Sequence, residues 1–417
     1  PSEFDRTLSG DVSFQTGASG SAFDVATTYR YDGDTRLCDS YREGGFYEEY
    51  DFRVGIRQVG DATPLDVPAP VPLPATALLL LGALGDPGPL SDPQRYCLPD
   101  GVSLAPLLTL RKGLDLWACE RPARFYPGTV QYLADDRARD LDMLVIRENS
   151  EGEYVGQGGR LRADTREEIA TQLEVFTYTA TERLIRHAFE RARQRAAERA
   201  DSNSPRRFDG ADGEPRESQV CLITKRNAQA FWGTLYDRVF EEVAADYPDV
   251  ATHHELVDAA AMKFVQAPWR FDVVVASNLH GDILTDLAAV LAGGLGVAPS
   301  ANLNPADPSQ PALFEPTHGS APDIAGQGLA DPRATLFSLA LMLDWLGEKE
   351  PIFYDHRPWQ SPSGPSLPRR EKSFRTIFSS AARHLHETLV SDLAAGHPAC
   401  GTDQIGARIQ GALGGGR

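Results

Sequence analysis

Phe271-Asp-Val-Val-Val-Ala-Ser-Asn-Leu-His-Gly-Asp-Ile-Leu-Thr-Asp-Leu287 is the stretch on which the fold turns. Val273 to Val275 is an apolar, β-branched run of strand type. Polar residues and Gly281 follow, and a helical pattern then places Ile283, Leu284, Leu287 and Val290 on one face. Asp282 and Asp286 stand four apart, so a helix sets both carboxylates on one side, within reach of a single ion. Hard oxygen donors at a strand-to-helix turn suit Mg²⁺ or Mn²⁺. An isolated pair of this kind more often caps a helix and faces water, so the metal reading depends on the rest of the chain.

Outward from this stretch, strands alternate with helices. Apolar runs at 77–85, 141–146 and 220–224 read as buried strands, the second ending at Arg147-Glu148 and the third at Lys225. Helical patterns cover 102–117, 174–199, 231–247, 335–346, 374–394 and 402–413, and 255–265 is patterned as well. Residues 200–217 read as a mobile insertion and 348–372 as an irregular one. Such alternation implies an α/β fold with a largely parallel sheet and helices on both faces. Residues 1–74 differ. They are rich in Gly, Ser, Asp and aromatics, and end in the proline-rich link Val67-Pro-Ala-Pro-Val-Pro-Leu-Pro74.

The chain has 417 residues, 41% hydrophobic and 24% charged, as a soluble globular protein would. A net charge of −18 repels a nucleic-acid backbone and excludes that class of partner. The five cysteines are scattered with no CxxC spacing, which fits free thiols in a reducing compartment. The longest apolar run, 75–84, falls short of the roughly 20 residues of a membrane helix. With no leader pattern at the start, the expectation is a cytoplasmic enzyme without a membrane partner.

Several residues carry chemistry. Arg111, Arg121 and Arg147 stand at apparent element ends, and guanidinium forks grip carboxylates in pairs. Tyr154 lies in a Gly-flanked loop just after Arg147, where a phenol can donate a proton. Lys225 follows an apolar strand, where partial desolvation lets an amine act as a base. Asp258 is an acid in an apolar run, costly unless paired or on a metal. The loop 315–326 lacks Gly-x-Gly-x-x-Gly. It still offers small residues for close backbone approach and Asp323 as an acceptor for ribose hydroxyls.

Taken together, residues 75–417 resemble the β-decarboxylating dehydrogenases of isocitrate, 3-isopropylmalate, tartrate and D-malate. The matching segments fall in the family's order: LLLGALGDP, LRKGLD, RPARFYPG, DMLVIRENSEGEYVG, TKRNAQ, VDAAAM, ASNLHGDILTDLAAVLAGGLG and LFEPTHGSAPDIAG. The resemblance implies a two-domain isocitrate/isopropylmalate dehydrogenase-like fold. An atypical segment, 1–74, precedes a large cofactor-side domain (75–116 and 293–417) and a second domain (117–292) that carries the dimer contact and the metal and substrate site. It implies a homodimer using NAD and Mg²⁺ or Mn²⁺. Asp258, Asp282 and Asp286 become metal ligands, with Asp258 reaching across the dimer. Arg111, Arg121 and Arg147 become the carboxylate clamp, Lys225 the acceptor of the hydroxyl proton, and Tyr154 the acid that protonates the enol. Glu315, His318, Gly319, Ser320, Ala321, Asp323 and Asp331 become dinucleotide contacts.

Within the family, ENSEGEYVGQGGR, TKRNAQ and SNLHGDILTDLAA look more like the tartrate/D-malate branch, so the expected substrate is D-malate or tartrate. Leu107 and Leu108, one turn before Arg111, give no polar contact for a third carboxylate and argue against isocitrate. The alternatives are 3-isopropylmalate, or a non-catalytic relative whose N-terminal part is a binding or export module. Val71-Pro-Leu-Pro-Ala75 also resembles bacterial sorting signals. The family's opening Gly-Asp-Gly-Ile-Gly-Pro loop has no counterpart in residues 1–74, from which weak dinucleotide binding is expected. Asp331 stands where the family usually has Asn, and Glu120 where an aliphatic residue is usual.

Overall fold

The computed structural model describes residues 9–13, 23–30, 51–58, 78–82, 106–202, 204–307, 310–319, 321, 324, 326–348, 374–396 and 401–414. Three N-terminal strands, β1 (Ser9–Ser13), β2 (Phe23–Arg30) and β3 (Asp51–Gln58), pair antiparallel in that order. The main body contains β4 (Leu78–Leu80), α1 (Pro106–Gly113), β5 (Ala118–Arg124), β6 (Asp142–Glu148), β7 (Gly152–Leu161) and β8 (Ile169–Val175). Next come α2 (Tyr178–Asp201), β9 (Phe208–Asp209), β10 (Pro215–Arg216), β11 (Gln219–Thr224), α3 (Ala230–Ala244), β12 (Ala251–Leu256) and α4 (Val257–Gln266). The quoted stretch forms β13 (Val273–Ala276) and α5 (Asn278–Leu291), and β14 (Pro299–Leu303), β15 (Ala312–Pro316), α6 (Arg333–Glu348), α7 (Phe374–Ala394) and α8 (Thr402–Gly414) complete the chain's elements.

Eight strands make the central sheet in the order β12-β11-β13-β6-β5-β14-β15-β4. The run β12-β11-β13-β6 is parallel, as is β15-β4, while β6-β5, β5-β14 and β14-β15 are antiparallel. The expected α/β fold is therefore present. β13 lies inside the parallel part, and its alternate residues feed two cores. Val273 and Val275 pack with Leu184, Ile185 and Phe189 of α2 and Tyr236 and Val239 of α3. Val274 faces the other way, toward Phe264 of α4 and Leu284 and Ala288 of α5. A strand covered on both faces has no polar side to show, hence its unbroken valine run. A further core joins α6, α7 and α8 through Phe337, Leu385, Leu389, Ile405 and Ile409.

Four sequence expectations need correction. The helix over 102–117 ends at Gly113; Asp115 takes φ +46, and Leu116 and Trp117 enter the buried sheet layer. The next strand, β5, was not expected, because Cys-Glu-Arg-Pro is polar and proline lacks a ladder donor. Pro122 is tolerated because β14 pairs only with Ala118 to Glu120, so Pro122 lies past the doubly paired part. The helix over 174–199 starts later, capped by Thr177, whose Oγ1 accepts from the Ala180 amide at 3.2 Å. Its expected first residues belong to β8, which forms an exposed hairpin with β7.

The described residues of 200–217 are mostly exposed but are tied to the body of the chain at two points. Arg206 donates to the carbonyls of Asp142 (2.6 Å) and Phe271 (3.1 Å), and Arg199 donates to that of Glu217 (2.8 Å). Arg199 also grips the fully buried Asp272 with two nitrogens, at 2.8 and 2.9 Å. Finally, the apolar face of α5 that packs inward is Leu284, Ala288 and Leu291, whereas Ile283 is 58% exposed and Val290 39%. The expected insertion at 348–372 lies outside the described residues, apart from its first residue at the end of α6. Among the described residues no helix is long and apolar enough to cross a membrane.

Candidate active site

The carboxyl ends of β6 and β13 and the first turn of α5 meet at one place. Ser277 caps α5, its Oγ 3.3 Å from the His280 amide and donating to Glu153 Oε1 at 2.7 Å. Glu153 Oε2 accepts the Leu279 amide at 3.0 Å, putting an acid at the positive end of the helix. Gly281 sets how close the helix comes: a Cβ there would lie 2.8 Å from both Cβ and Cγ of Arg147. With no side chain in the way, α5 lies directly on Arg147.

That contact assembles a cluster. Asp282 Oδ1 accepts from Arg147 Nη1 and, at 3.2 Å, from Arg121 Nη1. Arg121 also donates to Thr285 Oγ1 at 2.7 Å, and Arg147 donates from Nε and Nη2 to Asn278 Oδ1 at 3.0 and 2.7 Å. Tyr154 donates to Asp282 Oδ2 at 3.1 Å, with the Arg147 guanidinium 5.3 Å from its ring centre. Burial alone would raise the Asp282 carboxyl, but Arg147 and Arg121 outweigh it and hold the group below the usual range. Burial, and then the Asp282 charge, push the Tyr154 phenol up, so it keeps its proton at neutral pH. Asp286, one turn on, is raised by burial with the Asp282 charge adding, and it has no hydrogen-bond or ion-pair partner among the described residues.

A second group lies at the end of β11 and the start of α4. Lys225 Nζ sits 2.7 Å from Asp258 Oδ1, and this bond holds the Asp258 carboxyl low. No bond joins this pair to Asp282 among the described residues, and no three acids, histidines or cysteines there are grouped to hold a metal. Asp282 and Asp286 nonetheless supply hard oxygens with one carboxylate unpartnered, a donor pair that fits Mg²⁺ or Mn²⁺. The third expected ligand, Asp258, stays with Lys225 in the single chain.

Arg111 is buried and points elsewhere. Its Nη2 donates to Glu315 Oε1 at 2.7 Å, and Asn302 Nδ2 reaches the same oxygen at 3.0 Å. Its charge still acts on Asp282 and Arg147, so the three arginines form one positive field. Glu315 is thus engaged by protein groups. His318 Nδ1 lies 3.0 Å from the Gly319 carbonyl oxygen, and Ala321 takes φ +46. At Gly319, Gly326 and Gly328 no described atom lies within 4 Å of where a side chain would point. Asp331 binds Arg333 through both oxygens, Oδ1 to Nε at 2.9 Å and Oδ2 to Nη2 at 2.6 Å. Ser320 and Asp323 lie outside the described residues, as does the side-chain structure of residues 1–74 from which weak dinucleotide binding was expected.

Sequence reasoning missed Asn278, Thr285, Glu153 and Asn302. Thr285, three residues after Asp282, was open to inference from helical spacing. Asn278, four residues before Asp282 on the same helix, was equally open to it, whereas Glu153 and Asn302 meet the site only through tertiary packing.

Paired arginines beside the Asp282 carboxylate and a protonated tyrosine suit the binding of a small carboxylate. The isocitrate/isopropylmalate dehydrogenase family matches residues 57–204 and 206–351, and the chain belongs to that family. Its class is accordingly the one expected, an NAD-dependent β-decarboxylating dehydrogenase. A 3-isopropylmalate dehydrogenase of Beutenbergia cavernae is 46% identical over 273 residues, 65% of this chain and 70% of that one. One from Mycobacterium leprae is 44% identical over 274 residues, 66% and 72% of the two chains. The crystal structure of isocitrate dehydrogenase from Methylococcus capsulatus superposes with a TM-score of 0.59 at 30% identity, covering 80% of each chain. These relatives overturn the tartrate/D-malate expectation: the sequences at 42–46% identity carry the isopropylmalate name. The segments that suggested the other branch lie around Arg147, Lys225 and Asp282, the residues read from the sequence as candidate site groups. They do not discriminate between the family's substrates.

Proposed function

We propose that the chain oxidises and decarboxylates 3-isopropylmalate with NAD and a divalent ion, Mg²⁺ or Mn²⁺. The observation that carries this is the convergence of Arg121, Arg147, Tyr154 and Asp282 at the end of β6, with apolar Leu107 a turn before Arg111 on α1. Residues four apart share a helix face, so Leu107 offers apolar surface beside the arginine field. An isopropyl substituent uses that surface; the hydrogen of malate or the hydroxyl of tartrate does not.

Arg121 and Arg147 hold the substrate carboxylates, with Arg111 joining from its place against Glu315. Lys225 accepts the proton of the 2-hydroxyl, and Tyr154 returns a proton to the carbon that loses carboxylate. Asp258, Asp282 and Asp286 hold the metal, which when bound supplies a Lewis acid while NAD supplies the hydride acceptor. His318, Gly319 and Ala321 approach the dinucleotide.

The site is completed in a homodimer. Met262 and Val265 of α4 and Ile283 and Val290 of α5 are 39–60% exposed, on two helices that pack on each other. A second copy covering them would bring its Lys225 and Asp258 to Asp282 and Asp286. The test is NADH formation with Mn²⁺ and 3-isopropylmalate, D-malate, tartrate or isocitrate. The largest kcat/KM should fall to 3-isopropylmalate, and a larger value for any of the others overturns the assignment.

A further inference from the structure

Lys225 stands between two neighbours tied to the same imidazole–carboxylate pair. Thr224, fully buried at the end of β11, has Oγ1 3.1 Å from His254 Nε2. Arg226, on the other side, donates from Nη1 to Asp237 Oδ2 at 2.6 Å. The second oxygen of Asp237, Oδ1, lies 3.1 Å from that same His254 Nε2. The elements lead to this arrangement. β11 and β12 run parallel with Leu222 opposite His254, so the imidazole meets the strand end one step on. Asp237 is one turn beyond Gly233 on α3, and a Cβ on Gly233 would stand 2.6 Å from Arg226 Cα, so the helix is pressed onto the residue after the lysine. The Lys225 carbonyl accepts the Ala228 and Gln229 amides at 2.8 Å each, closing the turn.

We propose that His254 and Asp237 are positioning residues for Lys225: the pair clamps the backbone on both sides of it and so directs Nζ onto Asp258, 2.7 Å away. Neither residue belongs to the Asp282 cluster. His254 Nε2 lies 3.1 Å from both Thr224 Oγ1 and Asp237 Oδ1, the first a hydrogen bond and the second an electrostatic contact, so the imidazole bridges the end of β11 and α3 on the two sides of Lys225. A lysine amine swings on four rotatable bonds, so the placement of its backbone decides how much of that freedom falls near the reacting hydroxyl. The inference deepens the role of Lys225 as proton acceptor, and its kinetic part rests on that reading.

The experiment compares His254→Ala, His254→Gln and Asp237→Asn with the unaltered full chain. Surface acetylation at one fixed pH, read by mass spectrometry, gives the rate at Lys225 relative to Lys112. In His254→Ala and Asp237→Asn the Lys225 rate should rise roughly threefold or more as its bond to Asp258 loosens, with Lys112 unchanged. With 3-isopropylmalate, kcat should fall roughly 10- to 100-fold at little-changed KM, and His254→Gln should recover part of it. Labelling does not depend on turnover. If the unaltered chain ignores 3-isopropylmalate, the substrate assignment fails while the clamp is still judged by Lys225. An unchanged Lys225 rate in both folded variants, or in Asp237→Asn should His254→Ala not fold, overturns it.

Discussion

Asp282 takes its character from what faces it, and so does Tyr154 beside it. Its carboxylate is exposed enough to reach a ligand, yet two guanidiniums hold it charged, and the neighbouring phenol keeps its proton partly because of that charge. Tyr154→Phe should therefore slow protonation of the enol by roughly 100-fold or more while sparing hydride transfer. Feeding the 2-oxo acid intermediate directly separates the two steps, and a variant unimpaired there contradicts the assignment. Glu120 gives a second prediction. It sits beside Arg121 on β5, and its Oε1 meets His187 Nε2 at 2.8 Å and Arg191 Nε at 3.0 Å. Burial opposes its charge, but Arg191 and His187 prevail and bring its pKa from 4.5 to about 2. A lowered acid stabilises the fold above its unfolded pKa and loses that contribution as pH falls between about 4.5 and 2. Glu120→Gln should cost roughly 3 kcal/mol at neutral pH and flatten the acid dependence of denaturant melts over that window. A variant melting like the parent at pH 7 contradicts this. At this scale the sequence was informative wherever spacing carries chemistry, as with Asp282 and Asp286. It did not show that Arg111 pairs with Glu315, 204 residues away.

Close approach of α5 to β6 is what makes a site out of two elements. Gly281→Ala would put a methyl 2.8 Å from Arg147 Cβ, a backbone-side contact that must shift. Overpacking of this kind costs roughly 1–3 kcal/mol. Because Arg147 moves with it, KM for the substrate should rise more than kcat falls. Steady-state kinetics beside a thermal melt check this, and an unchanged KM shows that the packing does not place the arginine. The elements legible in the sequence were those with a single dominant period: β11, β13, α3, α6, α7 and α8. β5 was hidden by Pro122 and by charges that find buried partners. The start of α2 was hidden because β8 precedes it without a break in pattern. The anchors of residues 200–217 were not legible because they are arginine-to-carbonyl bonds, which no local composition reveals.

At the scale of the whole molecule, one chain gathers Asp282 and Asp286 with two arginines, and Asp258 with Lys225, without joining the groups. Family membership and fold class were legible because ordered motifs run through most of the chain. The choice of substrate was not, since the segments that suggested tartrate or D-malate do not separate the chain from relatives named 3-isopropylmalate dehydrogenase. Replacing Met262 by Glu together with Ile283 by Arg should convert a dimer to a monomer by light scattering and abolish turnover. A fully active monomer contradicts the shared site. The measurement that bears most directly on the account is the stoichiometry of NADH and CO₂ formed from 3-isopropylmalate by the purified chain with Mn²⁺. Equal amounts of both are expected, each far above the level from a Lys225→Met control. NADH without CO₂, or neither product from an intact dimer, contradicts it.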